Sequence, residues 1–134
     1  MSEPATRLNL ALSPYAQLLG LRVELRDGRR VGVMPFAEHL VGNPTLPALH
    51  GGTLGGLLES MAHVEVIEVR PGEPQRLPKT VTLTVQYLRS GKPVDTFVVA
   101  KVLKSGRRVS TVFVSAFQED EAHPIATATV VLKM

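Results

Sequence analysis

Cysteine is absent from the 134 residues, which excludes disulfides, thiolate nucleophiles and cysteine-ligated metals. Tryptophan is absent as well, and the four Phe and two Tyr are too few for a base-stacking platform. No apolar run approaches the roughly 18 residues of a membrane span. The opening Met-Ser-Glu-Pro-Ala-Thr-Arg has no apolar stretch of the signal-peptide kind. A cytoplasmic protein with neither membrane nor nucleic acid as partner is expected. Gly-x-Ser-x-Gly is missing too, and with it the nucleophile elbow of the serine hydrolases.

Apolar residues make up 44% of the chain and charged residues 20%, the balance of a globular protein, and the length predicts a single domain over residues 1–134. Net charge is +3. The basic residues are scattered through turns (Arg29, Arg30, Lys79, Arg89, Lys92, Lys104, Arg107, Arg108), a distribution suited to a small anionic ligand and not to a long polyanion.

The dominant stretch is His50-Gly51-Gly52-Thr53-Leu54-Gly55-Gly56-Leu57-Leu58-Glu59-Ser60-Met61-Ala62-His63, read as a loop entering one long helix that runs to about Val69. Each of its four glycines costs roughly 1 kcal/mol of helix propensity against alanine, so close approach of backbone or ligand is the expected reason for them. Free N–H groups and the helix dipole favour partial negative charge at that end. Further along, Glu59 stands among Leu57, Leu58, Met61 and Ala62, and an acid in apolar surroundings is expensive unless paired or used in chemistry. Gly51 and Glu59 lie about 12 Å apart along the axis. If both serve one reaction, they come from different subunits. His63 follows Glu59 at i+4, on the same face, and can hydrogen-bond its carboxylate or take a proton. Two such groups without an obvious third do not make a zinc site.

Around this helix the chain predicts a short helix within Leu10 to Leu19, capped by Ser13 with Pro14 at its first position. Strands at 21–26 and 30–35 are joined through Asp27-Gly28, a hairpin signal. Residues 36–49 have no clean period and read as an ordered loop that delivers the chain to His50, and Arg70-Pro71-Gly72-Glu73-Pro74 ends the long helix. Thr80, Thr82, Thr84 and Gln86 alternate with Val81, Leu83, Val85 and Tyr87, a half-buried strand. Strands near 95–104, 107–118 and 124–133 complete an expected antiparallel meander. The fold class is α+β: one long apolar helix wrapped by a curved antiparallel sheet of about six strands.

His50-Gly51-Gly52 opening that helix, an acid nine positions after the histidine, Asn43-Pro44 upstream, and the Tyr87-Leu88-Arg89-Ser90-Gly91 and Ser105-Gly106-Arg107-Arg108-Val109 segments together resemble the hotdog-fold acyl-CoA thioesterases of the phenylacetate-pathway (PaaI-like) type. The resemblance covers nearly the whole chain. It implies an acyl-CoA substrate, no cofactor, a homodimer or homotetramer, and an active site between two protomers. In that pattern the Gly51 N–H polarises the thioester carbonyl, and Glu59 of the other protomer attacks it or activates a water. His50 and Asn43 position loop and substrate. Arg89, Lys104, Arg107 and Arg108 are candidates for the coenzyme A phosphates. The chain departs from the pattern twice: Asn43 stands one residue further from the histidine than usual, and His63 replaces a Ser or Thr. The first departure keeps open a non-catalytic acyl-CoA binding or sensing protein. A hotdog hydratase is the third reading, disfavoured because the acid lies two turns into the helix.

Overall fold

The computed structural model describes residues 13–43, 45, 48–70 and 78–134. Ser13 caps the first helix, α1 (Pro14–Leu18), by accepting the Ala16 N–H at 3.2 Å, and Pro14 occupies the first turn. The expected start of this helix at Leu10 lies outside the described residues. Gly20 (φ 72°) ends it in the left-handed conformation common after helices. Strands β1 (Arg22–Arg26) and β2 (Arg29–Met34) pair through Asp27 and Gly28, at φ 53° and 75°. Positive φ at both positions suits a tight turn whose twist matches the strands.

Among its described residues, the ordered loop expected over 36–49 holds short regular elements. A 3-10 turn (Glu38–Leu40) leads into two short paired strands, β3 (Val41–Asn43) and β4 (Ala48–Leu49). Leu40 is the anchor, fully buried in the core, and one apolar residue in a short segment leaves no periodic trace. Helix α2 (Gly51–Val69) follows, with the expected limits. The turn sequence 71–74 that was expected to end it lies outside the described residues.

Four long strands complete the chain: β5 (Lys79–Tyr87), β6 (Thr96–Ser105), β7 (Val109–Phe117) and β8 (Ala126–Lys133). With β1 and β2 they form one antiparallel sheet in the order β1-β2-β6-β7-β8-β5. The expected meander holds only for β6, β7 and β8. Strand β5 pairs with β8 at the far edge and not with β6, because β6 continues the sheet from β2. Turn signals cannot reveal this, since they mark where strands end and not which strands pair.

Helix α2 packs mainly on β6, β7 and β8, whose inward residues Val98, Val112, Val114, Ala126, Val130 and Leu132 are buried with Leu57, Leu58, Met61, Val64 and Val66 of the helix. Burial of each large side chain contributes about 1.5–3 kcal/mol. Further along the helix, Glu65 takes a two-pronged ion pair from Arg30 of β2, at 2.7 and 3.1 Å. This bond raises the Arg30 pKa above its usual value, against the opposing effect of its own burial.

Gly32 of β2 lies beneath the helix, where an added Cβ would come within 2.6 Å of Val98 Cγ1 and 3.0 Å of Met61 Sδ. Valine cannot swing its methyl aside cheaply. Gly32→Ala is therefore expected to lower unfolding free energy by about 1–3 kcal/mol through overpacking, measured by urea titration. An unchanged midpoint would show that this layer has slack.

Candidate active site

The start of α2 is held from three directions. The His50 N–H donates to the Leu40 carbonyl at 2.9 Å, and the Leu49 N–H donates to the Gly91 carbonyl at 2.9 Å. The His50 ring folds back so that Nδ1 accepts the Gly52 N–H at 3.0 Å. His50 is thus the helix cap, and its capping bond places the ring proton of the neutral imidazole on Nε2. Thr53 and Leu54 donate to the His50 carbonyl. Among the described residues the Gly51 N–H has no acceptor, which leaves one donor of the first turn available.

The glycines answer to two aromatic rings. Tyr87, at the end of β5, donates its hydroxyl to the Gly51 carbonyl at 2.8 Å, and Cβ atoms added at Gly51 or Gly55 would stand 3.5 Å from its phenol. Tyr15 of α1 packs on Gly56 so closely that any side chain there would overlap its ring, and its hydroxyl reaches the Gly52 carbonyl at 3.4 Å. Close approach was the expected reason for these glycines. The approaching groups are tyrosine side chains, which the spacing of glycines alone does not identify.

Gly51, Leu54 and Tyr87 line an open cleft of about 350 Å³ with Leu49, Leu88 and Arg89. Arg89 and Ser90 also line a second cleft, of about 380 Å³, against Lys92, Gln118, Asp120 and His123. There Lys92 pairs with Glu119 at 3.3 Å and His123 with Asp120 at 2.9 Å. Arg89, between the two clefts, has no ion pair among the described residues. Lys104, Arg107 and Arg108 lie elsewhere, at the β6–β7 turn, which Arg70 ties to the far end of α2 by donating to the Gly106 and Arg107 carbonyls at 2.8 and 3.0 Å. The four basic candidates therefore do not gather within one chain.

Glu59 is half-buried, on the side of α2 that carries Gly52, Gly56, Ser60 and His63, while Leu57, Leu58, Met61 and Ala62 turn into the core. Its apolar sequence neighbours are thus not its spatial ones. Among the described residues no hydrogen bond or ion pair reaches its carboxylate. The expected Glu59–His63 hydrogen bond is absent: His63 Nε2 lies 2.9 Å from Thr80 Oγ1 of β5. Burial lowers the His63 pKa below its usual 6.5, and the nearby Glu59 charge offsets only part of this. Asn43 closes β3, but its side chain lies outside the described part of the structure. The sequence reading missed Tyr15, Tyr87 as a clamp, and Thr80. A lone tyrosine before a turn was the only signal for Tyr87.

One long helix wrapped by a six-stranded antiparallel sheet, with a glycine-built helix start opposite its edge strand, defines a hotdog fold. Residues 42–133 match the family described as the acyl-CoA thioesterase N-terminal domain, and the chain belongs to that family. Similar solved structures include a Chromobacterium violaceum protein at 30% identity, covering 96% of this chain and 92% of that one, with a TM-score of 0.70. A phenylacetic acid degradation-related protein of Ralstonia eutropha JMP134 is 22% identical over 91% of each chain, with a TM-score of 0.76. A Bacillus halodurans protein crystallised with CoA is 21% identical over 90% of this chain and 78% of that one, with a TM-score of 0.79. No match was found among curated proteins.

The depressed His63 pKa links folding to pH. The unfolded chain binds a proton at this residue near pH 6.5 while the folded chain does not, so stability falls as pH drops through 6.5 and the loss levels off below the folded-state value. His63→Gln is expected to flatten this acid-side decline in chemical denaturation curves. An identical pH slope in the variant would remove His63 as its source.

Proposed function

We propose that the protein hydrolyses acyl-CoA thioesters at a site shared by two copies of the chain. Glu59 carries the reading. A partly exposed carboxylate with no hydrogen bond or ion pair among the described residues is free to act as nucleophile or base, and it lies on the side of the helix that the chain's own sheet leaves least covered. The Gly51 N–H of one protomer polarises the thioester carbonyl, and Glu59 of the other attacks it or activates a water. A donor aimed at a developing oxyanion is worth about 3–4 kcal/mol, and a positioned base about 10²–10⁴ in rate.

The distance between the two groups supports sharing. Eight residues of helix separate Gly51 and Glu59, about 12 Å along the axis, so one chain does not bring them together. Edge strand β5 supports a second copy, since its inward-facing Leu83 and Tyr87 remain 37% and 56% exposed and one side of its backbone is unpaired. A homodimer formed at this edge, or a homotetramer of two such dimers, is the expected assembly. Arg89 beside the Gly51 cleft, with Lys104, Arg107 and Arg108 brought round by another protomer, binds the coenzyme A phosphates. The CoA in the Bacillus halodurans structure supports this ligand, and the Ralstonia eutropha likeness supports the phenylacetate (PaaI-like) type. His50 caps the helix that presents Gly51, and Asn43 borders the same loop. A cytoplasmic location and a single domain suit this role. Binding or sensing of acyl-CoA without turnover is the alternative, favoured by the extra residue between Asn43 and His50.

Thiol release from short, long and aromatic acyl-CoAs tests the activity. Glu59→Gln is expected to lose nearly all turnover with an unchanged circular dichroism spectrum, whereas full turnover would end the enzyme reading. Saturable binding without thiol release by the native protein would establish the alternative.

Sharing is tested by complementation. Proline at Gly51 removes the N–H while keeping the helix start, because the first helical position tolerates it, His50 is already extended, at φ −65° and ψ 134°, as a residue before proline must be, and the added Cβ stands at ordinary contact distance from Tyr87, 3.5 Å. Gly51→Pro and Glu59→Gln chains are each expected to be inactive. Refolded together they should regain about a quarter of wild-type activity, since half the dimers then hold one intact site of two. No recovery would rule out a site that takes Gly51 from one copy and Glu59 from the other.

A further inference from the structure

Tyr15 stands on the strip of α2 that the sheet leaves partly open. Its ring lies on Gly56, where any side chain would overlap it, and its hydroxyl reaches the Gly52 carbonyl at 3.4 Å. Gly56 admits the ring at a cost in helix propensity, yet the ring remains 45% exposed, which core packing alone does not account for. The short helix that carries it is well held. Ala16 and Leu19 are buried in the core, and His39 Nε2 donates to the Leu18 carbonyl at 3.1 Å. The ring is therefore a fixed feature of the strip and not a surface side chain free to swing away.

Glu59 follows Gly56 by three residues, about 4.5 Å along the axis and on the same side of the helix. Side chains on a helix lean toward its N-terminus, so the carboxylate reaches back toward the turn that Tyr15 covers. One turn on stands His63, with Nε2 bonded to Thr80 Oγ1 at 2.9 Å, close enough for the Glu59 charge to act on it. Glu59 thus has a ring on either side of it along the strip. A thioester carbon within about 3 Å of the carboxylate carries two substituents besides its oxygen. The sulfur leads to coenzyme A, whose phosphates the proposed site assigns to Arg89 beside the Gly51 cleft of the other protomer. The acyl group leaves the other way, along the strip, where the Tyr15 ring meets it.

We propose that Tyr15 is a specificity-determining residue, whose ring forms the end wall of the acyl pocket and limits the protein to short acyl chains. This rests on the thioesterase reading and names the substrate class within it. The ring is the wall and not the hydroxyl, because the ring covers Gly56 while the hydroxyl is directed to backbone. Under the ring lies bare helix, since Gly52 and Gly56 carry no side chains. Its removal therefore opens a groove along the strip instead of exposing another wall.

The test measures affinity for S-alkyl-CoA thioethers, from ethyl to hexadecyl, on the full chain by calorimetry. A thioether keeps the coenzyme and the chain but is not hydrolysed, so binding is read apart from turnover. In the native protein affinity should rise about fourfold per methylene up to a short limit and then fall. Tyr15→Ala should move that limit to longer chains by several methylenes, and the ratio of kcat/KM on long over short acyl-CoA should rise about tenfold or more. Tyr15→Phe keeps the ring and should retain the native limit. Tyr15→Leu is the second variant, with an intermediate limit, should alanine loosen α1. The same limit in the native, alanine and leucine proteins, affinity lowered equally at every length, or no limit in the native protein overturns the proposal. Failure of the native protein to bind any member of the series would sink the acyl-CoA reading itself. Activity retained in Glu59→Gln would sink the mechanism alone, and the binding series stands apart from that result.

Discussion

A helix that is apolar on nearly every side has to be covered, and this requirement governs the rest of the molecule. Leu54, Leu57, Leu58, Met61, Val64 and Val66 all lose their contact with water, which is possible only if the sheet bends around α2. One sheet does not close a full circle. The strip through Gly52, Gly56, Glu59, Ser60 and His63 stays partly open, and the carboxylate proposed to act on the thioester lies on it. The incompletely wrapped helix and the candidate site are thus one feature seen from two sides.

The glycines at the helix start follow from the same geometry. Tyr87 arrives from the sheet edge and Tyr15 from α1, and the two rings seat on opposite pairs, Gly51 with Gly55 and Gly52 with Gly56. Four glycines cost roughly 3–4 kcal/mol of helix propensity. Tyrosine packing and the bonds to the Gly51 and Gly52 carbonyls offset part of that and hold rigid the turn whose first N–H is left over. In the proposed reaction this rigidity has a chemical use, because a donor contributes most when it needs no rearrangement as charge develops.

Charge along α2 is arranged with similar economy. Glu65 and Glu68 stand in its second half, where the helix dipole disfavours acids. Arg30 crosses from β2 to bond Glu65, and the Glu68 charge also acts on it. The pair fixes the helix against the strand that begins the main run of the sheet. Glu59 has no such arginine among the described residues, and Glu68 Oε1 is likewise buried without a hydrogen-bond partner, so only Glu65 of the three acids is paired.

Much of this was legible in the residues alone. Glycines, capping His50, the apolar run and Asp27-Gly28 are local signals, and local signals determined the limits of α2, the β1–β2 hairpin and the identity of Gly51 and Glu59 as the groups worth following. Strand pairing was not legible: β5 lies beside β8 and not β6, because pairing is chosen by which edge the bent sheet leaves free. The partner of His63 was hidden for the same kind of reason. A period of two places Thr80 on the outer face, and only a slip in register, set by the neighbouring strand, turns its hydroxyl toward the ring. Sequence determined which candidate groups this protein carries, through spacing within single elements. Tertiary structure decided which of them meet, since contacts between elements depend on register and curvature that no single segment encodes.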